Sequence, residues 1–149
     1  MSSLSPPSAF HPPFTHRFRV RYAELDPQGV VFNARYLEYA DLIVSEYWRQ
    51  SGLRFSGPDA LEFHVAHAAV DFRKPIRAEE EIEGRARTTR LGNTSMTTRI
   101  ELHGMGGNDD LRAEIELVNV HVDLASGMPQ PLPASLRELL GHATTGEGA

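Results

Sequence analysis

The stretch Asp26-Pro27-Gln28-Gly29-Val30-Val31-Phe32-Asn33 joins a turn carboxylate to the start of a helix. Asp, Pro and Gly at the first, second and fourth places are the residues that a type I turn selects. Read as a turn alone, Asp26 accepts backbone N–H bonds and does nothing more. Read as chemistry, the turn aims a carboxylate at a helix N-terminus. The first amides of a helix lack partners and favour a developing oxyanion. A carboxylate held there can attack a carbonyl or activate water to do so, with the amide of Asn33 as the electrophilic partner. Both readings of Asp26 stay open on the residues alone.

Other chemistry finds weaker support. The chain has 7 histidines and no cysteine, which removes thiolate ligands, disulfides and a cysteine nucleophile. His64 and His67 lie three apart on an expected strand and point to opposite faces, and no HExxH pattern occurs. His121 and Asp123 share a face and can pair, though a structural histidine explains them equally. No G-x-S-x-G elbow and no phosphate-cradling glycine pattern is present; Gly104 to Asp110 reads as a plain loop. Glu38, Asp41 and Glu46 on the helix are further candidate carboxylates or simply its polar edge. Arg73, Lys74, Arg77, Arg85, Arg87, Arg90 and Arg99 gather positive charge on the sheet region, with Glu79, Glu80, Glu81 and Glu83 interleaved. That mixture suits cross-strand ion pairs or a phosphorylated ligand, not a nucleic-acid face.

The elements that must position these residues follow from periodicity. Phe18, Val20 and Tyr22 alternate with Arg17, Arg19 and Arg21, which predicts a half-buried strand over 16–22. A helix of about five turns is expected over 34–51, capped by Asn33 and stopped by Gly52. Its apolar stripe (Tyr36, Ala40, Ile43, Val44, Tyr47, Trp48), widened by Tyr39 and Leu42, requires wrapping on most sides. Four strands are expected over about 61–74, 79–91, 94–103 and 111–124, with Gly92-Asn93 as a hairpin turn. In the last strand the apolar phase changes from Ala113, Ile115, Leu117 to Val118, Val120, Val122. That predicts a bulge near Leu117–Val118, or else burial on both faces. A short helix is expected near Pro133 to Leu140. The order strand, helix, four strands is α+β, with an antiparallel sheet against one helix.

The 149 residues favour one domain, and 40% hydrophobic with 23% charged residues is ordinary for a globular chain. A net charge of −5 argues against non-specific nucleic-acid binding. Lys74 is the only lysine, so the rest of the 15 basic residues are arginine, a codon bias or a taste for phosphate. The prolines of residues 1–15 predict an irregular leader, 16–141 the folded domain, and 142–149 a loose tail. No apolar run is long enough to span a membrane and no signal peptide is evident, so a cytoplasmic location is expected.

The segment Arg19 to Leu53, centred on Asp26-Pro27-Gln28-Gly29-Val30-Val31-Phe32-Asn33-Ala34-Arg35-Tyr36-Leu37, resembles the hotdog-fold thioesterases of the 4-hydroxybenzoyl-CoA thioesterase-like group. The likeness continues through Val70–Pro75, Arg90–Ser95 and His121–Gly127 to Pro131–Pro133, covering roughly 16–140. The resemblance implies a five-stranded antiparallel sheet wrapped around one long helix, in a homodimer or a homotetramer built as a dimer of dimers. It implies hydrolysis of acyl-CoA to acid and CoA without a cofactor, Asp26 serving as nucleophile or general base and the Asn33 amide polarising the thioester carbonyl. Gly29, Val30 and Tyr36 would line the substrate, and CoA phosphates would meet basic and polar groups between subunits. Relatives often carry His or Tyr where Asn33 stands, and some a basic cluster where this chain has Gly92-Asn93-Thr94. CoA anchoring then falls to Arg73, Lys74, Arg90, Asn93 or Ser95. An acyl-carrier-protein thioesterase and a non-catalytic acyl-CoA-binding protein are the alternatives. Tyr36, Tyr39, Trp48 and Phe63 suit either an acyl pocket or a core.

Overall fold

The computed structural model describes residues 13–107 and 109–146. Strand β1 (Phe14–Arg19) leads through a 3-10 turn (Tyr22–Glu24) to helix α1 (Arg35–Ser51), followed by β2 (Phe63–Phe72), β3 (Glu81–Leu91), β4 (Ser95–Gly104), β5 (Leu111–His121) and helix α2 (Ala134–Gly146). The five strands form one antiparallel sheet in the order β1-β3-β4-β5-β2. This is the α+β hotdog arrangement: a single sheet with α1 laid across one face.

Alternation decides which face of each strand meets the helix. Ile82, Ala86, Met96, Ile100, Leu102, Ala113 and Ile115 are buried on that face, against Tyr36, Tyr39, Ala40, Ile43, Val44, Tyr47 and Trp48 of α1. Gly84 lets Ile43 of the helix pack directly on the sheet. A Cβ there would lie 2.3 Å from Ile43 Cδ1, so only glycine permits the contact. Tyr47 reaches across to the sheet, its hydroxyl 2.8 Å from Thr88 Oγ1. Gly52 ends α1 at φ 101°, and its amide donates to Arg49 O and Trp48 O. The Gly92-Asn93 turn closes with Gly92 N donating to Ser95 O at 2.7 Å.

Four expectations need correction. Tyr22 does not continue the buried face of β1: it is 91% exposed, because the chain leaves the sheet after Arg19 and turns into the 3-10 segment. Asn33 is not the N-cap. Ala34 holds that place with helical φ and ψ and no side-chain cap, since a turn at 33–34 leads into the helix. The last strand keeps its phase, with Asn119 and His121 buried after Leu117. The extra residue lies in β2, where the pairing to β5 shifts between Val65 and His67 opposite Val118–Asn119. Finally, β1 begins inside the expected leader and α2 extends past residue 141 to Gly146. The other parts of the leader and tail, 1–12 and 147–149, lie outside the described residues.

The crossover from β2 to β3 positions the segment of interest. Residues 73–80 run across the end of the sheet and carry Ile76 fully buried into the core. Val31 N donates to Ile76 O at 2.8 Å, and Val30 bridges to Arg77. The segment after β1 is thereby fastened to the opposite crossover.

Candidate active site

Residues 25–31 form a small hairpin. Leu25 and Val31 pair antiparallel, Asp26 N donates to Val30 O at 2.8 Å, and Gly29 N donates to Asp26 O at 2.9 Å. The last bond is the turn that the Asp-Pro-x-Gly order predicts. Gly29 sits at φ 79°, the left-handed residue that completes a type I turn with a bulge. The Asp26 side chain takes part: Gln28 N donates to Oδ1 at 2.8 Å. Among the described residues its other oxygen makes no hydrogen bond or ion pair, and the residue is half-buried.

The helix start lies directly beyond. Phe32 N donates back to Glu24 O at 3.0 Å, Arg35 N to Phe32 O, and Tyr36 N to Asn33 O. The amides of Asn33 and Ala34 find no acceptor among the described residues. They stand at the positive end of a 17-residue helix, where partial charge on unpaired N–H groups favours an anion. The carboxylate and the candidate oxyanion donors are thus held by one continuous network.

Glu24 builds that network and was not among the residues singled out by sequence. It is 5% exposed. Its carboxylate accepts from Arg21 N (2.8 Å), the Tyr39 hydroxyl (2.8 Å) and Arg21 Nε (3.0 Å). Burial alone would raise its pKa. The Arg21 amide, the Tyr39 hydroxyl and the Arg21 guanidinium outweigh burial and hold it below the ordinary carboxylate range. Burial, then the hydrogen bond to Glu24, pushes the Tyr39 phenol up. The Arg21-x-x-Glu24 spacing was the available signal, but nothing local says that Glu24 turns inward.

Tyr36 is 3% exposed and meets Phe72 edge-on at 4.9 Å, so its ring is a wall of the core beneath the helix start. Tyr39 likewise packs on Phe18 at 4.6 Å. The basic candidates divide into two groups. Arg73 and Lys74 lie on the crossover at the Asp26 end, but Arg73 pairs with Glu114 (2.8 Å) and Lys74 with Asp110 (3.2 Å). Arg112 joins Glu80, Asp110 and the Pro75 carbonyl, and with its hydrogen bonds it brings the Asp110 carboxyl down to about 2. Gly104 leaves room for that cluster, since a Cβ would fall 2.2 Å from Asp110 Oδ2. Lys74, Arg77, Glu80, Asp110 and Arg112 border an open groove of about 600 Å³ beside the hairpin. The Arg77 guanidinium there has no ion pair among the described residues.

Arg90, Asn93 and Ser95 sit at the opposite end of β3 and β4. The 11 residues of β3 span about 33 Å. One chain therefore does not bring these three residues to Asp26. Among the helix carboxylates, Glu38 pairs with Arg35 (3.0 Å) and Glu46 with Arg49 (2.7 Å), whereas Asp41 has no ion pair among the described residues. His121 is structural: its Nδ1 lies 3.0 Å from Pro131 O, while Asp123 accepts from Ser126 N.

The likeness to known proteins agrees with this geometry. The sequence profile of the family described as "Thioesterase superfamily" matches residues 28–109, more than half of the chain. A curated protein of Aquifex aeolicus (strain VF5), whose esterase name is itself an inference, is 30% identical over 73 residues. That match covers 48% of this chain and 57% of the relative, so the chain spans little more than half of that protein's length. Among solved structures, the PA5185 protein of Pseudomonas aeruginosa PAO1 is 27% identical with a TM-score of 0.79, covering 87% of this chain and 90% of that one. A thioesterase of Thermus thermophilus, solved with coenzyme A and Zn, is 29% identical with a TM-score of 0.72, covering 88% and 94%. A 1,4-dihydroxy-2-naphthoyl-CoA thioesterase of Synechocystis shares the fold at 19% identity and a TM-score of 0.77, covering 86% and 95%. With the sheet order, the helix and the matched segment in agreement, the chain belongs to the thioesterase superfamily.

Proposed function

We propose that this protein is an acyl-CoA thioesterase, hydrolysing an acyl-CoA thioester to the free acid and CoA. One observation carries the reading. Asp26 keeps a carboxylate oxygen free on a hairpin fastened beside two unpaired helix-start amides. Thioester hydrolysis needs a nucleophile or base and a place for the oxyanion. Asp26 supplies the first, attacking the carbonyl or taking a proton from water. The amide of Asn33, with that of Ala34, supplies the second. Gly29 and Val30 shape the turn against the substrate.

The coenzyme A bound to the Thermus thermophilus relative supports CoA as the thiol carrier. The groove beside the hairpin, with Arg77 uncommitted and Lys74 and Arg73 close by in sequence, suits its phosphates. A second copy completes the site in this reading. Strand β2 is a sheet edge with Val65 60% and Phe72 54% exposed, a surface that favours pairing with another chain. Arg90, Asn93 and Ser95 join the substrate only if that copy brings them. No described helix is long and apolar enough to cross a membrane.

The test is thiol release from a panel of aromatic, short and long acyl-CoAs, with acyl-carrier-protein thioesters alongside. Turnover of CoA thioesters supports the proposal. Turnover confined to acyl-carrier protein moves the reading to that carrier. Acyl-CoA binding by calorimetry without thiol release over hours sinks the enzyme.

A further inference from the structure

Helix α1 starts without a side-chain cap. Ala34, its N-cap residue, offers no oxygen to the first turn, and Leu37, three residues on, has no carboxylate to reach back to the Ala34 amide. The 3-10 turn holds the helix start instead. Three bonds run from that turn to successive levels of α1 and its approach. Phe32 N donates to Glu24 O (3.0 Å), Arg35 Nη2 to Ala23 O (3.3 Å), and the Tyr39 hydroxyl to Glu24 Oε1 (2.8 Å). Arg35 and Tyr39 are four residues apart and so share a face of α1. The turn is stiff on its own side, because the Glu24 carboxylate also accepts from Arg21 N and Arg21 Nε.

This brace sits at the root of both halves of the site. On one arm Asp26 follows Glu24 by two residues, and on the other Asn33 follows Phe32 directly. The Glu24–Phe32 bond, the Leu25–Val31 pair and the Asp26–Val30 bond are successive rungs between the arms. A movement of the brace therefore shifts the amides of Asn33 and Ala34 against the Asp26 carboxylate. The bonds of the brace end on neither that carboxylate nor those amides, so both stay open to a reactant. Donors fixed in advance stabilise an oxyanion without reorganising. A shift of about 1 Å at a reacting centre can cost roughly 10²-fold in rate.

We infer that Tyr39, Glu24 and Arg35 are positioning residues for hydrolysis, which hold the helix-start amides in place against Asp26 through the 3-10 turn. This rests on the thioesterase reading. The three act through other groups, so their loss is felt in the transition state and not in substrate binding: kcat and kcat/KM fall together while KM holds. Tyr47, about two turns further along α1, is the matching control. Its hydroxyl makes the same kind of buried bond, to Thr88, away from the helix start.

The experiment uses the full chain, thiol release from the acyl-CoA that the native chain hydrolyses fastest, and amide hydrogen exchange over residues 30–37. Tyr39→Phe and Arg35→Met should each lower kcat about tenfold with KM within about twofold, short of the roughly 10²-fold lost with an oxyanion donor itself. Exchange over 30–37 should quicken in both. Glu24→Gln keeps an acceptor for the Tyr39 hydroxyl and should retain more of kcat than Tyr39→Phe. Tyr47→Phe should leave kcat within about twofold and exchange over 30–37 unchanged, as expected of a distant site. Arg35 is half-buried, so Arg35→Met carries the test if Tyr39→Phe does not fold. Rates or exchange unchanged in the folded variants, a loss confined to KM, or an equal loss in Tyr47→Phe would overturn this inference. Quicker exchange in the variants of a native chain that hydrolyses no thioester would overturn the thioesterase reading and leave the brace standing.

Discussion

Glu24, at the end of the 3-10 turn, and Asp26, in the hairpin that follows it, are carboxylates two residues apart, and the fold treats them in opposite ways. Glu24 is turned inward, buried, and bonded by an amide, a phenol and a guanidinium. Its charge is spent on holding the hairpin against α1. Asp26 is half-buried, takes one local amide, and keeps an oxygen free. A side chain with all its lone pairs engaged is poor at attack or proton transfer, whereas one held by a single local bond is aimed without being neutralised. The anchor and the candidate catalyst are therefore neighbours with separate duties.

The sharpest way to break this contrast is kinetic. Asp26→Asn keeps the shape and the acceptor for Gln28 but removes the charge. Turnover in a thiol-release assay should fall about 10²-fold or more, the low end for a general base, with little change in the urea midpoint. Activity within threefold of the native protein would end the assignment of Asp26. The reciprocal change, Glu24→Leu, strands the Tyr39 hydroxyl and the Arg21 amide in a dry place. It should destabilise the chain by roughly 2 kcal/mol in urea unfolding. If it costs nothing while abolishing activity, the two duties have been exchanged. Tyr39→Phe removes one of the bonds to Glu24 and should cost about 1 kcal/mol. In a double-mutant cycle with Glu24→Leu the two losses should fall short of adding.

The smallest effect is in pH. The folded-state pKa of Glu24 lies below its ordinary 4.5, so its contribution is complete above that value and is lost as pH falls through the lowered one. The stability gap between the native protein and Glu24→Gln should narrow on acidification below pH 4.5. A gap that widened with acid would mean that the hydrogen bonds do not outweigh burial.

Much of this site was written in short-range spacing. Asp26, Pro27 and Gly29 specify their turn through local dihedral preferences, and the hairpin has that turn. The stripe Tyr36, Ala40, Ile43, Val44, Tyr47, Trp48 and the stop at Gly52 specify α1 through periodicity and positive φ. Strands β3 and β4 alternate as read. The errors arose where a distant partner outvoted a local pattern. Tyr22 continued the alternation of β1, yet the chain left the sheet so that Glu24, not Tyr22, could meet Tyr39. Val118 and Val120 suggested a change of face in β5, but the spare residue was absorbed by β2, because register belongs to a pair of strands. Asn33 had the side chain of a cap, but a turn placed Ala34 there.

The sequence by itself determined the fold class, the turn and helix that bear the candidate chemistry, and the family resemblance, since these depend on dihedral preference and on hydrophobic period. Only the tertiary structure decided that Glu24 anchors and Asp26 does not. It alone separated Arg90, Asn93 and Ser95 from Asp26 by the length of the sheet. Such contacts join residues far apart in the chain, and burial, not residue type, settles which polar groups are satisfied within the fold.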